Sequence, residues 1–299
     1  MRDYTTDELL ESVKRRAAIA LGPGTFDEDK VLAFADDELQ SAIVPAVMSL
    51  RAEHFATYED VTTTDELVYE IPESALNRGL KRVCFVDAAG VEQKLTKIDF
   101  DAESDEPGQR GTYPNGAFYI QGDSVVLYPN VTAGRTLRMH FYRAPNRLVQ
   151  TSAAAQVLAV DTDLDTVTCS SVPASWEVGD LVCCVAGRPG FGLRFAAREI
   201  TVAGSPSFTI DDVTGVEVGD WIALEGDSPI AQIPVEMHPV LAQKVAAKVL
   251  EALGDPKTPF SRDEYAAIAK NVVDMAGPRV ESAPKRFTGR NRLIDWLRK

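Results

Sequence analysis

The sequence predicts an α+β protein in which N- and C-terminal helices form an α-helical bundle and a large antiparallel β domain is inserted between them. Two observations predict this fold class. Apolar residues recur with a period of about 3.6 in the first and last parts of the chain, and with a period of about 2 in between. The hydrophobic fraction of 45% and the charged fraction of 25% are ordinary for a globular chain of 299 residues.

Residues 1–56 are predicted to supply the N-terminal helices of the bundle. The first helix has a capping box, in which the side chains of Thr5 and Glu8 satisfy N–H groups of the first turn. Apolar residues at helical spacing follow the capping box, and Gly22 begins a Gly-Pro-Gly stretch that is typical of a helix end. We therefore expect one helix between Thr5 and Gly22.

A second, longer helix is predicted from Thr25, which forms another capping box with Glu28. Its apolar stripe continues to about Phe55. Pro45 lies inside this stripe and lacks the N–H group that an α-helix requires. Because the stripe continues on both sides of the proline, we expect a kink near Ser41 rather than an end.

Residues 57–150 are predicted to form a β domain, because short β-branched or aromatic runs alternate there with turn residues. A longer polar loop is expected at residues 99–116. The aromatic residues of this domain and the next alternate as core residues should, and they are Tyr69, Phe85, Tyr119, Phe141, Trp176 and Trp221.

Residues 151–232 contain a tandem repeat with a period of about 40 residues, which is within the range of known repeat architectures. The stretch that starts at Trp176 (Trp-Glu-Val-Gly-Asp-Leu-Val) is echoed by the stretch that starts at Val216 (Val-Glu-Val-Gly-Asp-Trp-Ile). Two copies are too few for a solenoid, which needs at least about three. We interpret them as two halves of a small β barrel or sandwich, in which each Gly-Asp pair makes the turn into a buried strand.

Residues 233–278 are predicted to be the C-terminal helices of the bundle. One helix is expected from Pro234 to Gly254, and Ser261 with Glu264 caps another that runs to about Ala276. The two terminal groups of helices therefore bracket everything that lies between them.

The remaining residues, 279–299, form a basic tail on an acidic body. The chain has a net charge of −14, yet the tail holds seven basic and two acidic side chains, which leaves −19 on the body, residues 1–278. An acidic chain of this kind is a poor candidate for binding nucleic acid over its whole surface, because phosphate binding depends on lysine and arginine. The tail itself is predicted to dock on an acidic, apolar groove of a partner protein. Two alternatives remain open: it folds back on its own body, or it contacts DNA phosphates.

The composition also predicts the compartment in which the chain folds. No apolar run reaches the roughly 18 to 20 residues that a membrane helix requires, and the acidic N-terminus is unlike a signal peptide. We therefore expect a protein that starts in a cytoplasm and does not bind a membrane. The cysteines show no paired spacing and are expected to be buried and reduced, namely Cys84, Cys169, Cys183 and Cys184.

Patterns that carry chemistry are mostly absent from the sequence, so we expect no enzyme, no cofactor and no metal. His54, His140 and His238 lack the spacing of zinc ligands. The glycine-rich stretch 187–192 contains a proline and is expected to be a loop rather than a phosphate cradle. Alternating acids do not fit an EF-hand register, and a solvated acidic loop is the preferred interpretation; they are Asp99, Asp101, Glu103 and Asp105.

Three segments together resemble the head-to-tail adaptor (connector) proteins of tailed bacteriophages. They are the first helix from Glu8 to Ile19, the second helix from Phe34 to Gln40 with Ile43-Val44-Pro45, and the strand exit from Phe141 to Val149. The resemblance covers about half of the chain. It does not cover the large β insert, which we expect to form an outer rim that contacts tail or fibre components.

This resemblance implies a structural virion protein at the head–tail junction that assembles in the host cytoplasm as a twelve-membered ring below the portal. The ring would join the filled capsid to the tail tube, nozzle or tail-terminating proteins and leave a channel through which DNA passes without specific binding. Family adaptors tend to extend their C-terminus onto the portal, and the candidate positions here are Arg286, Phe287, Arg290, Arg292, Leu293, Trp296 and Leu297. An alternative is a receptor- or carbohydrate-binding virion module that uses the β domain, and an enzyme is a third hypothesis.

Overall fold

The computed structural model describes residues 4–18, 27–99, 113, 115–128, 133–187, 192–255 and 262–268. The chain divides into two compact units, one formed by Met1–His54 with Pro145–Lys299 and the other by Phe55–Ala144. Helices and antiparallel sheets are both present, which confirms the α+β class. The residues at the end of the predicted β domain, 145–150, belong to the unit that contains the helices.

The first helix, α1, spans Thr6–Ala17. Thr5 is its N-cap, as predicted, and the Thr5 hydroxyl accepts a hydrogen bond from the Glu8 N–H at 3.4 Å. The Glu8 carboxylate in turn accepts from the Tyr4 N–H at 2.9 Å. The helix ends earlier than the predicted Gly22, because Ala18 adopts a left-handed conformation with φ of 53° and its N–H bonds back to the Lys14 carbonyl.

The second helical run begins at Glu28 with α2 (Glu28–Glu38). Its N-cap is Asp27, whose side chain accepts from the Asp29 N–H at 2.9 Å. The prediction of Thr25 as the cap is therefore wrong for the helix start: an aspartate two positions later makes the capping bond, and Thr25 lies outside the described residues.

The run continues through a π-helical segment, Leu39–Ile43, into α3 (Val44–Arg51) and a 3₁₀ turn, Ala52–Phe55. The helix thus passes through Pro45, as predicted. The irregularity around Ser41 takes the form of a π turn, in which the Val44 N–H bonds to the Leu39 carbonyl five positions back. The Ser41 hydroxyl also donates to the Asp37 carbonyl at 2.6 Å.

The C-terminal helix α4 spans His238–Ala252 after a 3₁₀ turn at Val235–Met237, and Gly254 with φ of +66° follows it. This confirms the predicted helix. It packs against α1 and α2 through an apolar side that includes Val240, Leu241, Val245, Ala246, Val249 and Leu250, all almost completely buried. A further helical segment covers 262–268, and the predicted continuation to Ala276 lies outside the described residues.

The unit Phe55–Ala144 contains two four-stranded sheets, in which most neighbouring strands are antiparallel. Their strands are β1 (Ala56–Thr62), β2 (Val68–Glu70), β3 (Ala75–Val86), β4 (Glu92–Lys94), β5 (Thr96–Lys97), β6 (Ala117–Gln121), β7 (Ser124–Tyr128) and β8 (Thr136–Arg143). The first sheet has the order β1-β8-β3-β4 and the second has the order β2-β7-β6-β5, where β5 and β6 are parallel. Inward-facing residues form one core, which includes Val83, Phe85, Leu127, Leu137 and Met139.

The other unit contains a short parallel pair of strands and a closed β barrel. Its strands are β9 (Arg147–Leu148), β10 (Ala155–Asp161), β11 (Thr166–Cys169), β12 (Leu181–Val185), β13 (Leu193–Val202), β14 (Ser207–Ile210), β15 (Trp221–Leu224) and β16 (Asp227–Ser228). The pair is β9 with β16, and the barrel has the order β10-β11-β14-β13-β12-β15. Inside the barrel Trp176 packs edge-on against Phe208, with ring centroids 5.4 Å apart.

Two turns with the sequence Glu-Val-Gly-Asp lead into β12 and β15. In each turn the aspartate side chain accepts from the glutamate N–H three positions earlier, at 2.8 Å for Asp180 and 3.0 Å for Asp220. The glycines that precede these aspartates have φ of 97° and 93°, a left-handed conformation that favours glycine. The turn chemistry was therefore readable from the sequence.

Each turn also forms a hydrogen bond with a strand that precedes the other turn in the chain, β13 for the first turn and β10 for the second. The Asp180 carbonyl accepts from the Ile200 N–H at 2.9 Å, and the Asp220 carbonyl accepts from the Val157 N–H at 2.9 Å. The barrel closes because β12 pairs with β13 and β15 pairs with β10. Closure of the barrel thus depends on strands that precede each of the two turns.

Most of the aromatic residues predicted for the core are buried, namely Tyr69, Phe85, Tyr119, Phe141 and Trp176. The prediction was wrong for Trp221, which is only half-buried. Its neighbour Ile222 points into the barrel, so alternation places Trp221 on the outer side, against a small cluster of Ala154, Cys183 and Ala223. The predicted burial of all four cysteines, none in a disulfide, is confirmed.

Candidate functional site

The residues predicted to dock on a partner all lie outside the described residues. They are Arg286, Phe287, Arg290, Arg292, Leu293, Trp296 and Leu297. The candidate site is therefore built from the part of the structure that leads to them, which we call the helical platform: α1, α2, α4 and the helical segment 262–268.

A buried carboxylate joins two helices of the platform. Glu38, at the end of α2, is only 7% exposed. The Lys244 ammonium of α4 lies 2.6 Å from Glu38 Oε2, and the Lys248 ammonium lies 3.7 Å from Oε1. An unpaired carboxylate would be costly at this depth, so the two lysines hold α2 in register with α4.

A chain of hydrogen bonds connects α1 to the helical segment 262–268 through α4. The Arg16 guanidinium donates to Gln243 Oε1 at 2.7 Å, and the Gln243 amide donates to Glu264 Oε2 at 3.2 Å. Arg262 pairs with Glu251 of α4 at 2.8 Å. These contacts fix the segment from which the C-terminal part of the chain departs.

Tyr265 adds an aromatic contact to the same segment. The Lys244 ammonium lies 5.5 Å from the centre of its ring, which is within the range of a cation–π interaction. Burial raises the pKa of the Tyr265 hydroxyl to about 12, so the phenol stays neutral at physiological pH.

The segment 145–149 packs along the first two helices. The Thr6 hydroxyl donates to the Val149 carbonyl at 2.8 Å, and the Gln40 amide donates to the Pro145 carbonyl at 3.0 Å. Burial raises the pKa of the Asp36 carboxyl, an effect that a backbone hydrogen bond involving Leu148 partly offsets. Residues 34–40 and 145–149 therefore meet in one packed unit, which the start of α1 joins through Thr6.

A groove of about 360 Å³ lies between α1 and the N-terminal end of α4, and we call it the α1–α4 groove. Its apolar lining includes Leu9, Pro239 and Ala242. The rings of Tyr4 and His238 also line it, in contact with each other at a tilt of 39° and with their centres 4.5 Å apart. Carboxylates and arginines of α1 also line the groove, and they are Asp7, Glu8, Glu11, Arg15 and Arg16.

The three histidines occupy three different environments. His238 is buried, and the loss of water around it lowers its pKa to about 3, so that it is neutral at physiological pH. His54 Nε2 lies 3.3 Å from the Gln232 carbonyl. His140 belongs to a charged cluster on the sheet of the other unit.

That cluster brings Cys84, Glu92 and His140 together, with possible ligand atoms within 4.8 Å of one another. Three neighbouring strands supply them. In the strand register Cys84 of β3 lies opposite Lys94 of β4, which is two positions from Glu92, and opposite Arg138 of β8, which is two positions from His140. Sequence spacing gives no signal for such a set, since the three residues lie on three strands.

The surroundings of this cluster do not fit a metal ion. The Glu92 carboxylate already accepts hydrogen bonds from Arg82 and, at 3.2 Å, from Arg138. Two guanidinium groups within reach of the same carboxylate oppose the approach of a cation. Burial lowers the pKa of His140, and the positive charge of Arg82 lowers it further. The cluster is an ion-pair network across β3, β4 and β8.

The glycine-rich stretch and the acidic stretch give no ligand site within the described residues. The Gly187 N–H donates to the buried Asp220 carboxylate at 3.0 Å, and a Cβ atom on Gly187 would lie 2.0 Å from the Gly219 carbonyl oxygen. Gly187 is therefore required by a close backbone approach. Asp99 is described and exposed, whereas Asp101, Glu103 and Asp105 lie outside the described residues.

Sequence reasoning missed the residues that build the helical platform. Glu38 and Gln243 look like ordinary polar residues of amphipathic helices, and nothing local marks them as buried.

Among the described residues, no helix combines the length and apolar character needed to cross a membrane. Comparison with protein-family models finds no family that matches this chain, and comparison with curated proteins finds no match either.

Proposed function

We propose that this protein is a head-to-tail adaptor of a tailed bacteriophage: a structural virion protein that forms a ring below the portal and joins the DNA-filled capsid to the tail. The observation that supports this most is the meeting of the resembling segments. Gln40 of the second segment bonds to Pro145 of the third, and α1, which contains most of the first segment, packs against α2, so parts of the three segments belong to one folded unit.

Charge supports the same proposal. The acidic body, residues 1–278, carries a net charge of −19, and a ring of such protomers would present a mostly repulsive passage to DNA. A repulsive passage suits a channel through which a duplex must slide without being held. The twelve-membered ring and the contacts with tail tube, nozzle or tail-terminating proteins are part of this proposal.

The basic tail is the proposed portal-binding element. Leu293, Trp296 and Leu297 would bury an apolar face, and Arg290 and Arg292 would pair with carboxylates of the portal. The fixed segment 262–268 provides the place on the helical platform from which the chain continues towards this tail.

The test is binding of the full chain to the purified portal of the same virus. The double variant Trp296→Ala/Leu297→Ala is expected to weaken binding at least about tenfold, because burying two large apolar side chains contributes several kcal/mol. Asn291→Ala is the matched control within the same tail and should bind like the wild type. Equal binding by the double variant would remove the tail's assigned role.

Oligomeric mass tests the ring itself. The mass of the protein in solution should be measured alone and with the portal. A monomer that becomes a ring on the portal fits assembly at the filled head. A mass that stays at one protomer per portal complex would contradict the adaptor proposal.

The receptor- or carbohydrate-binding alternative receives little support from the described aromatic residues. Sugar-binding sites commonly stack aromatic faces against the ligand, but five of the six predicted core aromatics are buried, and Trp221 is half-buried against a cluster of Ala154, Cys183 and Ala223. The exposed ring of Tyr58 is already in contact with the Arg138 guanidinium, which lies 3.9 Å from the ring centre.

A further inference from the structure

The α1–α4 groove combines an apolar floor with a rim that is acidic at the start of α1 and basic at its end. Leu9, Pro239 and Ala242 supply the floor. The rim carries the exposed carboxylates of Asp7 and Glu11 and, further along α1, the guanidinium groups of Arg15 and Arg16. A volume of about 360 Å³ falls at the lower end of the range of ligand-binding clefts. A ligand suited to the acidic part of this groove has a bulky apolar anchor next to positive charges.

The C-terminal end of the chain has this chemistry. Trp296 with Leu293 and Leu297 gives one apolar face at i, i+3, i+4 spacing, and Arg290 and Arg292 precede it. An isolated helix of under about three turns is unstable in water, so an apolar face of this length needs a surface that covers it. Helices that dock in grooves use anchors at this spacing.

The segment 262–268 bonds to α4 beside the groove. Arg16 lines the groove and bonds to Gln243, which bonds to Glu264 in the segment where the described chain ends. The stretch 269–299 follows that segment. An extended chain of this length reaches roughly 100 Å, whereas α4 is only about 22 Å long. The tail can therefore reach the groove of its own chain.

We propose that, in the protomer before assembly, residues 290–297 dock in the α1–α4 groove of the same chain. Tethering gives the tail an effective concentration of about 1 mM at the groove, so even an intrinsic Kd of about 0.1 mM keeps most tails docked. A portal must then compete with the groove for the tail. That last consequence rests on the proposed adaptor function, but the docking itself does not.

Hydrogen–deuterium exchange of the full chain tests the docking without any portal. In Trp296→Ala/Leu297→Ala, amides of residues 7–16 and 239–243 should exchange at least about threefold faster than in the wild type. The barrel strands should exchange at the same rate in both proteins, and Ser282→Ala, which lies in the tail but outside residues 290–297, should match the wild type throughout. Unchanged exchange at the groove in the double variant would overturn the proposal.

Disulfide cross-linking tests whether the occupant belongs to the same chain. The native cysteines are all buried, so they should not compete with the two thiols introduced in the double variant Ser12→Cys/Asp295→Cys. One introduced thiol lies in the groove and the other in the tail. A cross-linked monomer after mild oxidation supports docking within one chain. A cross-linked dimer would assign the groove to a second copy and overturn it, as would the absence of any cross-link.

A matched pair of variants controls for position and charge. Leu164→Cys/Asp295→Cys carries a thiol on a side chain that is 68% exposed beside the barrel, and it should cross-link at least about fivefold less than the groove pair. Glu11→Lys should lower the yield of the groove pair about threefold, whereas Glu199→Lys makes the same charge change on the barrel and should leave it unchanged. Equal yields for both thiol positions would contradict a specific docking site.

The two proposals fail separately. Loss of groove protection and cross-linking with intact portal binding would remove the docked tail but keep the adaptor. Groove docking without portal binding would keep the docked tail and remove the adaptor's portal contact.

Discussion

The Glu38 carboxylate of α2 lies 2.6 Å from the Lys244 ammonium of α4, at a depth where Glu38 is 7% exposed. This pair joins two helices that come from opposite ends of the described chain. Since Lys248 also faces the same carboxylate, the structure compensates one buried negative charge with two positive ones. The arrangement makes the helical platform sensitive to the loss of a single carboxylate.

Glu38→Gln should lower the free energy of unfolding by about 2–3 kcal/mol, because it leaves two lysines near a neutral amide. Urea denaturation at pH 7 measures this change. Glu11→Gln removes one partner of an exposed pair with Lys14 and should cost at most about 0.5 kcal/mol. Equal costs for the two variants would show that burial does not strengthen the Glu38 pair.

His238 should make the protein less stable as the pH falls. Burial lowers its folded-state pKa to about 3, whereas the unfolded chain titrates at its usual value of 6.5. Between these values the unfolded state binds more protons, so acidification favours unfolding. From pH 7 to pH 4.5 the wild type should lose about 2–3 kcal/mol through this group.

The variant His238→Gln isolates this contribution. Its free energy of unfolding should change less between pH 7 and pH 4.5 than that of the wild type, by the same about 2–3 kcal/mol. A pH dependence as steep as that of the wild type would show that other groups cause the acid sensitivity.

Gly187→Ala should destabilise the barrel by at least about 2 kcal/mol, because its new methyl group would meet the Gly219 carbonyl and backbone cannot easily yield. Gly192, at the other end of the glycine-rich stretch, has no atom within 4 Å of a built Cβ, so Gly192→Ala should stay within about 0.5 kcal/mol. Thermal unfolding followed by near-ultraviolet circular dichroism compares the two. A harmless Gly187→Ala would mean that the backbone approach can relax.

The two Glu-Val-Gly-Asp turns should differ in sensitivity. Asp220 is buried, accepts from Gly187 and Glu217, and pairs with Arg194 at 3.1 Å. Asp220→Asn should therefore cost about 2–3 kcal/mol. Asp180 is less buried, and its carboxylate caps the Glu177 N–H, so Asp180→Asn should cost about 1 kcal/mol. Chemical denaturation of both variants gives the comparison, and the reverse order would contradict it.

The helices and turns were largely predictable because their signals are local. The Thr5–Glu8 cap, the helical stripe through Pro45 and the Gly-Asp turns depend on residues within a few positions of one another. The errors also arose locally, where neighbouring residues compete to begin or end a helix. Ala18 ends α1 before Gly22, and Asp27 rather than Thr25 caps α2.

Composition and periodicity by themselves determined the α+β class, the acidic body with its basic tail, and the burial of the cysteines. Tertiary structure decided which distant residues meet: Glu38 with Lys244, Thr6 with Val149, and the strands that close the barrel. Periodicity shows that a face is apolar but not what covers it, because strand register and helix packing are set by contacts across the whole chain. The α1–α4 groove exists for the same reason, since neither helix carries a pocket until it is packed against the other.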